Sequence, residues 1–228
     1  DTFLSTHPDI ALVLNIDNDH MEYFHTVENA MKSYTRFAQK AHTVLYNGSD
    51  EKTCRAMEEA AGEGRTFLTF GWEDTNDYYP ANLRHLGGLD RRFTLMFRGK
   101  PQTEIHLQIP GDHNILNAIA AAAGAMQLGA TPEQAAAGLA AFTGAGRRFE
   151  VLGKTHKGAT VADDYAHHPA ELRATLTAAK ELDFKRVWAV FQPFTFSRTY
   201  MLLEDFVSAL SIADRVVLSP IMGSREVN

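Results

Sequence analysis

The sequence predicts an α/β fold in two domains, and three observations carry that expectation. Ile10-Ala11-Leu12-Val13-Leu14-Asn15-Ile16 is a continuous apolar run of strand length, the mark of a strand covered on both faces. Residues 113–128 and 132–142 carry helical patterns rich in alanine. After residue 159, strand, helix, strand, helix and strand follow at the spacing of right-handed βαβ units, which build a parallel sheet. With 228 residues there is room for one large domain or two modest ones.

Each element has its own reason. The strand 10–16 leads into residues 27–41, where Met31, Tyr34, Phe37 and Ala38 recur at three- and four-residue spacings, as in an amphipathic helix. Thr43-Val44-Leu45-Tyr46 is a second short strand, ended by Asn47-Gly48. Residues 50–62 read as a polar helix closed by Gly62 and Gly64. Between residues 66 and 110 the pattern changes to short alternating segments at 67–70, 93–97 and 105–109, with Arg98-Gly99-Lys100 as a turn. That pattern predicts an antiparallel layer. Gly129 separates the two alanine-rich helices, and Thr131-Pro132 supplies the N-cap and first-turn proline of the second.

Composition shifts after Gly144-Ala145-Gly146, so the domain boundary is expected at about residue 146. Residues 149–152 and 159–162 predict a hairpin around Lys157-Gly158. A helix at 169–182, a strand at 187–191, a helix at 200–212 and a strand at 215–221 follow. The chain starts with Asp1 and stops soon after what reads as a buried parallel strand, so both ends read as cut.

Bulk composition excludes several classes. Hydrophobic residues make up 45% and charged residues 22%, enough for a sizeable core. A net charge of −6 argues against a nucleic-acid surface, which needs basic side chains to replace counterions. The single cysteine, Cys54, rules out an internal disulfide and a Cys-cluster metal site. No stretch approaches the roughly 20 apolar residues of a membrane span, and cytoplasmic is the default expectation.

Polar residues collect at predicted strand ends, where open α/β sheets bind ligands. Gly111-Asp112-His113-Asn114 opens a helix; exposed N–H groups and an Asn amide there suit a base or a phosphate, or simply cap the helix. Asn15-Ile16-Asp17-Asn18-Asp19-His20 follows the first strand, where Asp17, Asp19 and His20 suit a Mg²⁺ or Mn²⁺ ion, or a solvated turn. In Asp163-Asp164-Tyr165-Ala166-His167-His168-Pro169 the carboxylates suit a ribose or a metal-bound water. His167 suits proton transfer, and His168 fits the N-cap before Pro169. Phe191-Gln192-Pro193-Phe194-Thr195-Phe196-Ser197-Arg198-Thr199 repeats this arrangement, with Arg198 placed to grip a carboxylate or phosphate, or to make a surface ion pair. Gly153-Lys154-Thr155 imitates a P-loop tail, but Arg148 stands where the first glycine is needed and no helix follows.

The order N-I-x-x-D-H, G-x-H-N-x-x-N-A, R-R-F-E, D-D-Y-A-H-H-P and F-Q-P-x-x-x-S-R-T resembles the Mur ligases over nearly the whole chain. The resemblance implies an incomplete central ATPase domain at 1–146, followed by a truncated Rossmann-like parallel-sheet C-terminal domain at 147–228. It implies a P-loop, a metal-binding glutamate and a UDP-binding domain upstream of Asp1.

The implied activity is ATP-dependent carboxylate–amine ligation through an acyl phosphate, with ATP and Mg²⁺ as cofactors. The implied substrates are UDP-N-acetylmuramate and L-alanine; a sibling activity attaches a murein tripeptide to the same sugar nucleotide. Carried over by motif, His20 binds Mg²⁺, and His113, Asn114 and Asn117 face adenine. Arg148 reaches the ATP phosphates and Asp164 the ribose. Tyr165, His167 and Arg198 position the muramoyl carboxylate and alanine, with Arg148, His167 and Arg198 as the catalytic set. Phe194-Thr195 stand where the family often has His-Arg, which puts roles at those two positions and the choice of alanine in question. The competing expectations are a metal-dependent hydrolase and a non-catalytic binding module. The 228-residue chain alone is expected to be inactive as a ligase.

Overall fold

The computed structural model describes residues 2–18 and 20–223. Packing divides the chain into two compact units. The first comprises Asp1–His85, Arg91–Leu107 and Asn114–Phe142; the second comprises Leu86–Asp90, Gln108–His113 and Thr143–Asn228.

The first unit is built on six strands in the order β1 (Ile10–Val13), β2 (Thr43–Asn47), β3 (Thr66–Phe70), β4 (Tyr78–Gly87), β5 (Asp90–Phe97) and β6 (Lys100–Leu107). Strands β1 to β3 are parallel, and β5 and β6 are antiparallel. Ala11 and Val13 of β1, with Val44 of β2, bury one face in a core that includes Ala30, Met31 and Ala38 of α2 (Val27–Ala38) and Ala56, Met57 and Ala60 of α3 (Glu51–Ala60). On the other face Leu12 and Leu45 sit side by side, and Gly124 of α4 (His113–Gln127) lies over both: a Cβ there would stand 3.4 Å from Leu12 and 3.9 Å from Leu45. The helix therefore approaches the sheet through its smallest residue. A short helix α1 (Met21–Phe24) and α5 (Pro132–Ala141) complete the unit. Thr131 caps α5 in a full capping box with Gln134, as the Thr-Pro signal predicts.

Three expectations are corrected here. Strand β3 pairs in parallel with β2, so it belongs to the parallel part of the sheet and not to the antiparallel layer. Strand β4 was not anticipated, because Pro80, Asn82, Arg84 and His85 break its apolar alternation. The strand predicted at 10–16 ends at Val13.

In the second unit β7 (Glu150–Lys154) and β8 (Thr160–Asp163) form the expected antiparallel hairpin, and β9 (Trp188–Phe191) pairs in parallel with β10 (Arg215–Leu218). These are two separate two-stranded sheets, so β8 does not extend the parallel sheet as its position in the βαβ pattern suggests. Leu172, Leu176 and Ala179 of α6 (Pro169–Glu181) pack with Ala189 and Phe191 of β9 and with Phe206, Ala209 and Leu210 of α8 (Leu203–Leu210). The helix predicted at 200–212 is two pieces, α7 (Phe196–Met201) and α8, broken at Leu202. Thr195, the N-cap of α7, starts it earlier than apolar periodicity shows. The strand predicted at 215–221 stops at Leu218. Among the described residues, no helix is long and apolar enough to cross a membrane.

Candidate active site

Two turns of the second unit hold Arg148, Asp164, Tyr165 and His167 of the predicted site residues, and polar contacts tie them together. The first is Arg147-Arg148-Phe149. Arg147 and Phe149 both adopt left-handed backbone, φ 58° and 49°, at a cost of roughly 1–2 kcal/mol per residue. Hydrogen bonds hold them there: the Arg147 amide donates to Glu150 Oε2 at 2.8 Å, and the Phe149 amide to Asp164 Oδ2 at 2.8 Å. The second turn runs from Asp163 to Pro169. Its Tyr165 amide donates to the Arg147 carbonyl at 2.8 Å, and Arg147 Nε lies 3.2 Å from Asp163 Oδ2. The Arg147 guanidinium also sits 4.7 Å from the Tyr165 ring centre, a cation–π contact.

Asp164 links the turns to a helix. Besides Phe149, it accepts from the Ala166 amide at 2.7 Å and from the Thr175 hydroxyl of α6 at 3.1 Å. Glu171, in the first turn of α6, is a second link. Its Oε2 accepts from the amides of His167 (2.9 Å) and His168 (3.2 Å), and its Oε1 lies 3.3 Å from Arg148 Nη1. Burial pushes the Glu171 carboxyl up, but the hydrogen bonds from His167, Arg148 and His168 outweigh it and hold the group below the ordinary glutamate value. His168 caps α6 and Pro169 follows at the first helical position, as expected.

His167 Nδ1 lies 2.9 Å from the Tyr165 carbonyl and 3.4 Å from Glu171 Oε2. Both neighbours only accept, so Nδ1 carries the proton and Nε2 is left as the basic nitrogen. The His167 ring stands between those of Tyr165 (5.1 Å) and Phe194 (6.5 Å, edge-on). Phe194 bridges to Met222, and the Thr195 hydroxyl accepts from the Arg198 amide at 3.4 Å, which fixes the start of the helix that carries Arg198. Phe194 and Thr195 therefore do structural work: one packs on His167 and the other caps α7.

Gly111 explains the start of the G-x-H-N stretch. Its φ is +87°, and a Cβ there would fall 2.5 Å from His113 Cε1, so the imidazole folds back over the glycine. Desolvation of that ring lowers the His113 pKa, partly opposed by the carboxylates of Asp164, Asp112 and Glu181; His113 is a neutral imidazole at pH 7. Arg148, Phe149 and Glu150 line a cavity of about 270 Å³ with Gln108, Ile109 and Pro110.

His20, Asn114 and Asn117 lie in the first unit. Asn117 Nδ2 donates to Asn114 Oδ1 at 3.2 Å, which aligns two amides on the first turn of α4. His20 is exposed in left-handed backbone at φ 56°, and Asp17 is paired with Lys52 at 3.6 Å. Asp19 lies outside the described residues. Among those described, no cluster of three His, Cys, Asp or Glu ligand atoms includes His20. His20 therefore stands as a metal ligand on its motif alone, beside Asp17 in a stretch whose oxygen groups suit Mg²⁺.

Residues 2–125 match the Mur ligase middle domain, and residues 147–227 match the Mur ligase glutamate ligase domain. The chain belongs to the Mur ligase family. Among its relatives in that family, a UDP-N-acetylmuramate–L-alanine ligase from Agathobacter rectalis is 39% identical over all of this chain and 49% of its own length. One of the same name from Caldanaerobacter subterraneus subsp. tengcongensis is 38% identical over 99% of this chain and 49% of its own. The crystal structure of UDP-N-acetylmuramate-alanine ligase MurC from Thermotoga maritima superposes with a TM-score of 0.78 at 27% identity. It covers 97% of this chain and 48% of that one. The chain thus spans about half the length of the curated relatives it matches. The FPGS–AMPPCP–folate complex shares the fold at 19% identity and a TM-score of 0.76.

Sequence reasoning missed Glu171 and Thr175, and gave Arg147 no role of its own within the R-R-F-E motif. Glu171 had a signal: it stands three residues after the N-cap, the spacing of a capping box, but the cap is a histidine and not Ser, Thr, Asp or Asn.

Proposed function

We propose that this chain carries the later part of the ATP-binding domain (1–146) and most of the C-terminal domain (147–228) of a cytoplasmic ligase that joins L-alanine to UDP-N-acetylmuramate. The observation that carries the reading is that curated relatives of that name align over 99% or more of this chain at 38–39% identity, with all five ordered motifs inside the aligned span. The reaction uses ATP to convert the muramoyl carboxylate to an acyl phosphate. The alanine amine attacks the acyl carbon, and phosphate leaves.

In this reading Arg148 offsets charge on the transferring phosphoryl group. Asn114 and Asn117 present amides to the adenine edge, and the neutral His113 is a further candidate for it. Asp164 retains one unused acceptor position on Oδ1 for a ribose hydroxyl, its Oδ2 already accepting twice. Tyr165 and Arg198 orient the carboxylates, and His167 Nε2 takes up a proton from the attacking amine. His20 would be the metal-binding position of the first motif, and no step is assigned to a metal there.

The full-length protein should release phosphate from ATP only when UDP-N-acetylmuramate and L-alanine are both present, and replacing alanine by murein tripeptide should remove that release. Tripeptide-dependent release would move the reading to the sibling activity. Arg148→Ala should lower kcat by about 10²–10³-fold with little change in melting temperature. An unchanged kcat would remove Arg148 from the mechanism. The 228-residue chain by itself should release no phosphate.

A further inference from the structure

We infer that Glu171 is a positioning residue of the ligase site, fixing Arg148 and His167 in one arrangement; the inference rests on the function proposed above. One carboxylate serves two elements. Oε2 takes the amides of His167 and His168 and lies 3.4 Å from His167 Nδ1, while Oε1 takes Arg148 Nη1 at 3.3 Å, from a turn 23 residues earlier.

Capping α6 requires only the first set of contacts. The Arg148 contact adds nothing to the helix. What it does is give a long side chain one direction, at the centre of a turn whose flanking residues are already held in left-handed backbone. Glu171 also stands beside the protonated nitrogen of His167, so the same group that orients the cation favours the tautomer that leaves Nε2 basic. An acceptor that sets both the phosphate-binding cation and the proton acceptor is better placed for catalysis than for stability. A partly exposed ion pair contributes little to the latter.

Glu171→Gln in the full-length protein separates the two roles. The glutamine oxygen can still accept the His167 and His168 amides, while its NH₂ group opposes the Arg148 guanidinium, donor against donor. The melting temperature should hold and kcat should fall roughly ten-fold or more, as expected when a catalytic group is misplaced by about an ångström. In an Arg148→Ala background the same substitution should have little further effect, since residues acting as a unit are not additive. Glu171→Asp, which keeps the charge on a shorter stem, should fall in between and serves if the glutamine variant does not fold. A kcat within about two-fold of wild type for both variants, or losses that simply add in the double mutant, would overturn the inference. If the wild-type protein does not ligate alanine at all, the functional reading itself fails. The pairing is then judged by the ¹⁵N resonance of the Arg148 guanidinium, assigned by its loss in Arg148→Lys. Glu171→Gln should broaden it, and an unchanged resonance overturns the pairing.

Discussion

The two units hold their candidate site residues by different means. In the first, Phe93, Leu95, Ile105 and Ile119 have no exposed surface, and the amides of Asn114 and Asn117 stand on a helix anchored by that core. In the second, Leu172, Leu176, Val187, Ala189 and Phe191 keep 6–9% exposure, and all four residues of β10 are exposed. There the candidate groups Arg148, Asp164 and His167 are set by polar contacts among two turns and a helix start. Burial fixes a helix as a whole, whereas hydrogen bonds fix individual side chains. The second unit therefore draws its precision from polar contacts, with Phe149 and Ala166 of the turns packed against a more open core.

The largest test of this contrast is in the cores. Phe93→Ala should cost about 3–5 kcal/mol in urea unfolding, through lost burial and the cavity left behind. Val217→Ala on β10 should cost less than about 0.5 kcal/mol, since Val217 is already 43% exposed. Similar losses at the two positions would show that the apolar cores do not differ in the way their exposures indicate.

An intermediate effect is expected at Asp164. Replacing it with alanine takes the acceptor from the Phe149 and Ala166 amides and from the Thr175 hydroxyl, for a loss of about 1–3 kcal/mol. The more specific sign is local. Without that acceptor the left-handed Phe149 has less to hold it, and trypsin should cut after Arg147 or Arg148 much faster than in wild type. Unchanged cleavage would mean that the turn is held by something other than polar contacts.

The same contrast explains what the sequence made legible. Helices α4 and α5 and strands β1 and β2 are announced by periodicity, a Thr-Pro cap and a continuous apolar run, all consequences of burial. The candidate site residues His113, Arg148, Asp164, Tyr165 and His167 stand out because their motif order resembles a family, not because their chemistry is readable alone. The contacts that position them were hidden. The bonds from Glu171 to Arg148 and from Asp164 to Phe149 span 23 and 15 residues, and no local pattern encodes such a pairing. Strand β4 was hidden for a related reason: its hydrogen bonds to neighbouring strands hold together a segment whose side chains alternate poorly.

The smallest expected effect tests the polar mechanism by pH. Glu171 has its folded-state pKa held below the ordinary glutamate value of about 4.3 by its donors. A depressed carboxyl contributes stability that is fully present above the unfolded value and is lost as pH falls through the folded one. Unfolding free energy should therefore drop more steeply below about pH 4.3 in wild type than in Glu171→Gln, which has no proton to bind there. The two curves should differ by less than about 1 kcal/mol at neutral pH, because the pair is partly exposed. They should draw together in acid. Parallel curves through this range would mean that the donors around Glu171 do not favour its charged form, and that the second unit's turns are set by shape and not by charge.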